Sequence, residues 1–221
     1  MRINADFSLA ATIGVEEQEW IHSPENGVDR IMLDRIGIEV ARATSIVRYA
    51  PNSSFPWHEH ALGEEFLVLD GVFSDEHGDY PQGSYVRNPP GSGHIPRSER
   101  GCRILVKLRQ FDPTDLKQFS VDTADEDVWP AVALDTITKL HLHSFESERV
   151  EMWRIPQATS ASELAPLGGL ELFVVQGSVR VDQCQFAANS WLRFPPGARS
   201  DRYVGEDTLL WVKSGHLPIG N

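Results

Sequence analysis

The segment SYVRNPPG, Ser84 to Gly91, recurs 106 residues later as SWLRFPPG, Ser190 to Gly197. The same offset carries Gly71, at the end of EEFLVLDG, onto Gly177, at the end of LELFVVQG, and Val47-Arg48 onto Trp153-Arg154. Three separate blocks in one ungapped register are hard to obtain by chance, so the 221-residue chain reads as two copies of one structural unit. Any fold assigned to one half must therefore serve for the other.

Both halves are written in strands. The runs EVARATSIVRY, EEFLVLDGVF, GSYVRN, RILVKLRQF, RVEMWRIP, LELFVVQGSVRV, SWLRF and TLLWVKS are short, rich in β-branched and aromatic residues, and separated by Gly, Pro, Asp and Ser. No long stretch with a 3.6-residue period competes with them, which makes the chain all-β. The acidic, strand-poor stretch Asp112 to Trp129 reads as the crossover between copies, dividing the chain into 1–120 and 121–221. EEFLVLDG and ELFVVQG are apolar on both faces, so one face fills a core and the other is expected to meet the sister copy or another subunit.

The chemistry concentrates in the first copy. His58 and His60 in FPWHEHALGEEF stand at i and i+2 of an extended segment, which points both imidazoles to one side. Glu64 adds an anionic oxygen, and His94 arrives on a separate strand behind a Pro89-Pro90-Gly91 turn. Three nitrogens and a carboxylate suit zinc, iron, nickel, manganese or copper, whereas calcium and magnesium prefer all-oxygen shells. An isolated H-x-H in an acidic chain is ordinarily surface decoration. Here Glu64 is followed after six residues by Gly71, and Pro89 to His94 satisfies P-x-G-x-x-H. Projected forward by 106 residues, the four positions fall on Leu164, Pro166, Leu170 and Ser200. All four donors are gone, so the second copy is expected to be metal-free.

These two blocks resemble the signatures of the cupin family, H-x-H-x(3,4)-E-x6-G and P-x-G-x-x-H-x3-N. The departure is Ser98 in place of the final Asn, a position that is not a metal ligand in that family. The resemblance implies two tandem cupin lobes of the jelly-roll β-barrel type, the second a degenerate copy. It implies one divalent transition metal on His58, His60, Glu64 and His94, zinc first, with iron, nickel or manganese as alternatives. Over about residues 40 to 110 the chain is similar to the cupin lobe of the ChrR anti-sigma factors, in which the equivalents of these four residues bind zinc. A regulatory or stress-response role follows from that likeness, with a small ligand or oxidant at the open metal position. The helical domain with a Cys/His zinc motif that such factors also require has no counterpart in this sequence. The same type of domain occurs in non-haem iron dioxygenases that cleave diketones or hydroxyacetophenones, which is the alternative reading. No catalytic acid or base is assigned: Tyr85 and Arg87 approach the site in sequence, but strand alternation leaves their shared face open.

The remaining features exclude more than they assign. A formal charge of −12 opposes binding to phosphate backbones. No apolar run approaches the roughly 20 residues of a membrane span, and the N-terminus lacks the basic start and apolar core of a signal peptide, so a cytoplasmic location is expected. Cys102 and Cys184 form neither a disulfide framework nor a zinc-type spacing. A protein partner and a homodimer stay open. Arg103, Lys107 and Arg109 read as a solvated strand face. His141 and His143 map onto Arg35 and Gly37, outside the ligand block, and read as one face of an ordinary strand. His77 falls in a hairpin tip and His216 near the chain end. Cys102 shares a face with Ile104, Val106 and Leu108, as a buried inert thiol.

Overall fold

The computed structural model describes residues 1–132, 136–160, 168–198 and 202–217. Among these, strands dominate, and helix is confined to the single turns Val15–Glu17 and Glu126–Val128. Among the described residues no helix is long and apolar enough to cross a membrane. The chain forms two compact units: Met1–Ala5 with Glu19–Asp125, and Asp6–Gln18 with Glu126–Asn221.

The first unit is an antiparallel sheet in the spatial order Arg2–Ile3, Val28–Gly37, Ala41–Tyr49, Cys102–Leu108, Glu64–Ser74, Ser84–Asn88 and Phe119–Asp122. Alternation along these strands gathers Val28, Tyr49, Phe66, Val68, Val86, Cys102, Ile104 and Val106 into one core. Two short strands, His58–Glu59 and Gly93–His94, pair with each other. The second unit repeats the plan with Thr138–Phe145, Glu148–Ile155, Thr208–Ser214, Leu170–Gln176, Trp191–Phe194 and Ala11–Ile13. A four-stranded sheet of Thr159–Ser160, Arg202–Val204, Ser178–Val181 and Cys184–Ala187 accompanies it. Its core includes Leu170, Leu172, Val174, Leu192, Phe194, Leu210 and Val212.

The 106-residue register persists into backbone detail. Where Glu64–Ser74 pairs with Cys102–Leu108, Val68 faces Ile104 and Asp70 faces Arg103, so Leu69 is bulged out. In the second unit Val174 faces Leu210 and Gln176 faces Leu209, which bulges Val175. Each bulge runs into a glycine of positive φ, 73° at Gly71 and 78° at Gly177. A Cβ on Gly71 would lie 2.2 Å from the Gly101 carbonyl oxygen, and one on Gly177 would lie 2.3 Å from Thr208 Oγ1. The glycine ending each apolar run is thus required by close passage of the neighbouring strand as well as by its dihedral angle.

The division differs from a simple cut near residue 120 in its edge strands. Phe119–Asp122, from the crossover, pairs with Ser84–Asn88 in the first unit. Its counterpart on Trp191–Phe194 in the second unit is Ala11–Ile13, from near the N-terminus. Each edge strand therefore precedes in sequence the copy that it does not join. Strands this short carry too little pattern to announce which sheet they complete.

Each sheet also holds a buried row of charge on the face opposite the core just described. Lys107, Glu65 and Arg87 are direct cross-strand neighbours, each at most 1% exposed. Glu65 accepts hydrogen bonds from the Tyr85 hydroxyl at 2.5 Å and from Arg87 at 3.0 Å. Arg87 also donates to Asp115 at 2.6 Å and lays its guanidinium 3.8 Å from the Phe111 ring centroid. Lys107 Nζ donates to Thr44 Oγ1 at 2.8 Å. Lys213, Glu171 and Arg193 occupy the same row in the second unit, where Trp191 Nε1 replaces the tyrosine hydroxyl on the glutamate at 2.8 Å.

Several expectations change as a result. Lys107 is not on a solvated face, because its charge is answered inside the sheet. Tyr85 and Arg87 belong to this row rather than to the ligand cluster. Arg109 leaves the strand with a φ of 58°, while Arg103 stays partly exposed beside Asp70. His216 is held at 2.9 Å by Glu171 Oε2. His141 is exposed and His143 buried, because a bulge at Leu142 shifts the phase between them.

Candidate metal centre

Backbone pairing assembles the four ligand-type side chains. In the short ribbon His94 stands directly opposite His58, which is the closest approach two strands offer to facing side chains. A Cβ on Gly93 would stand 2.7 Å from the His58 carbonyl oxygen, so only glycine lets these strands meet. His60 donates its backbone N–H to Ser92 O at 2.8 Å and receives that of Gly91 at 3.1 Å, clamping the Pro-Pro-Gly turn to the H-x-H segment. Glu64 opens its strand on the core-facing side. The donor atoms of His58, His60, Glu64 and His94 all lie within 4.8 Å of one another. Glu64 Oε1 is 3.5 Å from His60 Nε2 and 3.4 Å from His94 Nε2.

The surroundings fix which nitrogen each histidine presents. His58 Nδ1 lies 3.1 Å from the Pro56 carbonyl, an acceptor only. His60 Nδ1 lies 3.0 Å from Ser92 Oγ, which spends its own hydrogen on the Pro89 carbonyl at 2.6 Å. His94 Nδ1 lies 3.0 Å from Asp75 Oδ2. In each ring the Nδ1 proton is consumed outward, leaving Nε2 to face the cluster with its lone pair. Asn88 donates to Glu64 Oε1 at 3.2 Å, holding the carboxylate in turn.

The electrostatics favour a cation here. Burial lowers the His60 pKa, with Glu64 opposing and the other two histidines adding to the fall. At His94 burial acts the same way, but the Asp75 hydrogen bond and the charges of Glu64 and Asp75 outweigh it and raise the pKa. Burial opposes ionisation of Asp75, yet His94 and the His77 backbone N–H bring its pKa down. His60 Nε2 is buried and makes no hydrogen bond. An orphaned imidazole nitrogen beside two buried carboxylates and two further aligned Nε2 atoms fits a first-row divalent metal. Asp75 is the charged member of the supporting groups, so Asp75→Asn is expected to weaken metal affinity about 10–100-fold with the fold intact. Competition against a chromophoric chelator reads this directly, and unchanged affinity would remove Asp75 from the site.

Sequence reading names the four donors and misses Asp75, Asn88 and Ser92. The repeat held the signal: their counterparts 106 residues on are Val181, Phe194 and Ala198, so the supporting groups vanish along with the ligands. Of the projected second-copy positions, Leu164, Pro166 and Ser200 lie outside the described residues. Leu170, the counterpart of Glu64, is 2% exposed in its core. Cys102 sits in the first core with its thiol pKa raised by burial to about 11, a state that keeps it protonated and unreactive.

A cavity of about 320 Å³ opens onto His58, His60 and Glu64. Its wall is mainly apolar, including Val28, Val47, Phe55, Ile104 and Val106. Tyr49 also lines it, and burial, then the charge of Glu64, pushes its phenol pKa far up. The Tyr49 hydroxyl therefore stays protonated, a donor and not a base.

Comparison with known proteins agrees with this architecture. Residues 9–112 match the family model described as the ChrR Cupin-like domain. A candidate dioxygenase of Nostoc punctiforme superposes with a TM-score of 0.71 at 15% identity, covering 94% of this chain and 82% of that one. The pirin YhhW of Escherichia coli, in complex with nickel(II), gives 0.70 at 11% identity over 96% and 100% of the two chains. A candidate glyoxylate-induced protein of Pseudomonas aeruginosa gives 0.72 at 15% identity over 96% and 91%. At such identities the likeness is one of fold. No curated protein sequence matches the chain. With its duplicated antiparallel units, its His/Glu cluster and this match, the chain is similar to the ChrR Cupin-like domain over residues 9–112 and shares the fold of these solved structures along most of its length.

Proposed function

We propose that the chain binds one first-row divalent metal through His58, His60, Glu64 and His94 and acts as a metal-dependent dioxygenase on a small organic molecule held in the adjoining cavity. The observation that carries this reading is the cavity itself, whose size and apolar wall suit an organic molecule. A purely structural metal needs no such chamber. His58, His60, Glu64 and His94 would hold such a metal, which would supply Lewis-acid and redox chemistry toward a small oxygen-bearing substrate. The chain's own groups then divide the work. Glu64, fixed by Asn88, serves as ligand and not as general base. The apolar wall orients the substrate and excludes water. Tyr49 offers a hydroxyl hydrogen to a substrate oxygen.

A second reading has its own support in the family match over residues 9–112. It is a regulatory module similar to the sensing lobe of ChrR, with zinc in the site and a small ligand or oxidant as signal. Metal analysis of protein purified without nickel, followed by O₂-electrode measurements after anaerobic ferrous loading and addition of acetylacetone, separates the two. Substrate-dependent O₂ uptake, lost in His60→Ala, is the expected result. Stoichiometric zinc in the purified protein with no O₂ uptake after iron loading would transfer the assignment to the regulatory reading.

A further inference from the structure

The cavity beside the metal ligands carries cationic groups that the metal-centred reading leaves unexplained. Arg30 and Arg35 both line it. In a regular strand, residues five apart point to opposite faces. Here Met32 pairs with Ser45 and Asp34 with Thr44, so Leu33 is bulged out of Val28–Gly37 and the phase shifts. That single bulge brings both arginines to the inward face. Glu39 answers Arg30, with nitrogen to oxygen distances of 3.3 and 3.2 Å. Arg35 is 3% exposed. It donates to the Ile38 carbonyl from Nε at 3.0 Å and also from a terminal nitrogen, and it makes no ion pair among the described residues.

A guanidinium buried without a carboxylate is costly unless something anionic completes it. Burial, and after it the neighbouring charge of Arg30, holds the Arg35 pKa below that of free arginine, with Glu39 opposing. The placement relative to the metal ligands is also defined. Arg35 pairs with Ala43, Ala43 with Leu108, and Leu108 with Glu64, so arginine and glutamate share one transverse row of the inward face. Three inter-strand steps amount to about 14 Å along the sheet. Both side chains line the same cavity, which therefore extends from the ligand cluster to Arg35.

We propose that the cavity selects a small monocarboxylate with an apolar body, its carboxylate received by Arg35 with Arg30 alongside, and its other end turned toward His58, His60, Glu64 and His94. This rests on the small-molecule reading of the site and specifies its substrate class.

Titration calorimetry of the full chain, zinc-loaded and chelator-stripped, with hydrocinnamate and hexanoate against their neutral amides provides the test. At least one acid is expected to bind roughly 10–100-fold tighter than its amide, the range of a hydrogen bond to a charged group. The preference should persist without zinc and collapse in Arg35→Met, with amide affinity unchanged. Arg35→Lys should keep part of it, and carries the test together with Arg30→Gln if Arg35→Met does not fold. Equal binding of acid and amide, binding of neither acid, a preference that disappears with zinc, or one untouched by the arginine variants would overturn the proposal. Metal uptake without acid preference defeats this proposal alone, whereas acid preference in a chain that takes up no metal defeats the metal-centred reading and leaves this one standing.

Discussion

His94→Ala is expected to take the protein from one bound divalent metal per chain to none after dialysis against a weak chelator, while far-UV circular dichroism stays that of a β protein. His94 is the donor contributed by its own strand, and it closes the cluster from directly opposite His58. Without it three donors remain, and Asp75, which spends Oδ2 on His94 Nδ1 at 3.0 Å, faces an empty space. The loss should therefore exceed the about 10–100-fold that removal of a supporting partner costs a metal site. His141→Ala is the matched control, since His141 is exposed in the other unit and belongs to no donor cluster among the described residues. Elemental analysis of the two variants beside wild type decides the matter. Full metal retention in His94→Ala would mean that the cluster is not the binding site.

Arg87→Ala should be among the most damaging single substitutions outside that cluster, at about 3–5 kcal/mol of stability. The guanidinium is fully buried and serves Glu65 at 3.0 Å and Asp115 at 2.6 Å, both carboxylates being buried as well. Truncation strands two negative charges away from water and removes the cation from the Phe111 ring face. For a chain of this size the loss corresponds to a fall in melting temperature of roughly 6–20 °C. Arg154→Ala is the instructive contrast. Its contacts with Glu126, at 2.6 and 2.9 Å, are as short, but the glutamate side chain is 75% exposed, and such pairs contribute about 0–1 kcal/mol. Urea unfolding of both variants tests the difference, and equal losses would show that burial of the Lys107–Glu65–Arg87 row has been misjudged.

Comparing the two halves position by position separates scaffold from site. Gly71, the bulge before it and the Lys107, Glu65 and Arg87 row all have counterparts 106 residues on. The four ligand-type residues and their partners Asp75, Asn88 and Ser92 have none. What both copies share belongs to the common scaffold, and what only one has is the proposed metal site with its supporting groups. Pattern reading failed where a strand departs from strict alternation. The bulge at Leu142 splits His141 from His143, and the bulge at Leu33 unites Arg30 with Arg35. It failed also where charge is buried on an outer face, because alternation reports which side a residue takes and not what covers that side.

The sequence by itself determined the all-β class, the duplication and the identity of the four clustered side chains, since these rest on local chemistry: β-forming runs, glycines that only one conformation admits, and donor types at fixed spacing. Tertiary structure alone decided which edge strand completes which sheet, that Lys107 and Arg87 are interior, and that Arg30, Arg35 and Tyr49 converge on the cavity beside the histidines. Those outcomes depend on strand register and bulges, which are set by contacts between segments far apart in the chain and leave no periodic trace in any one of them.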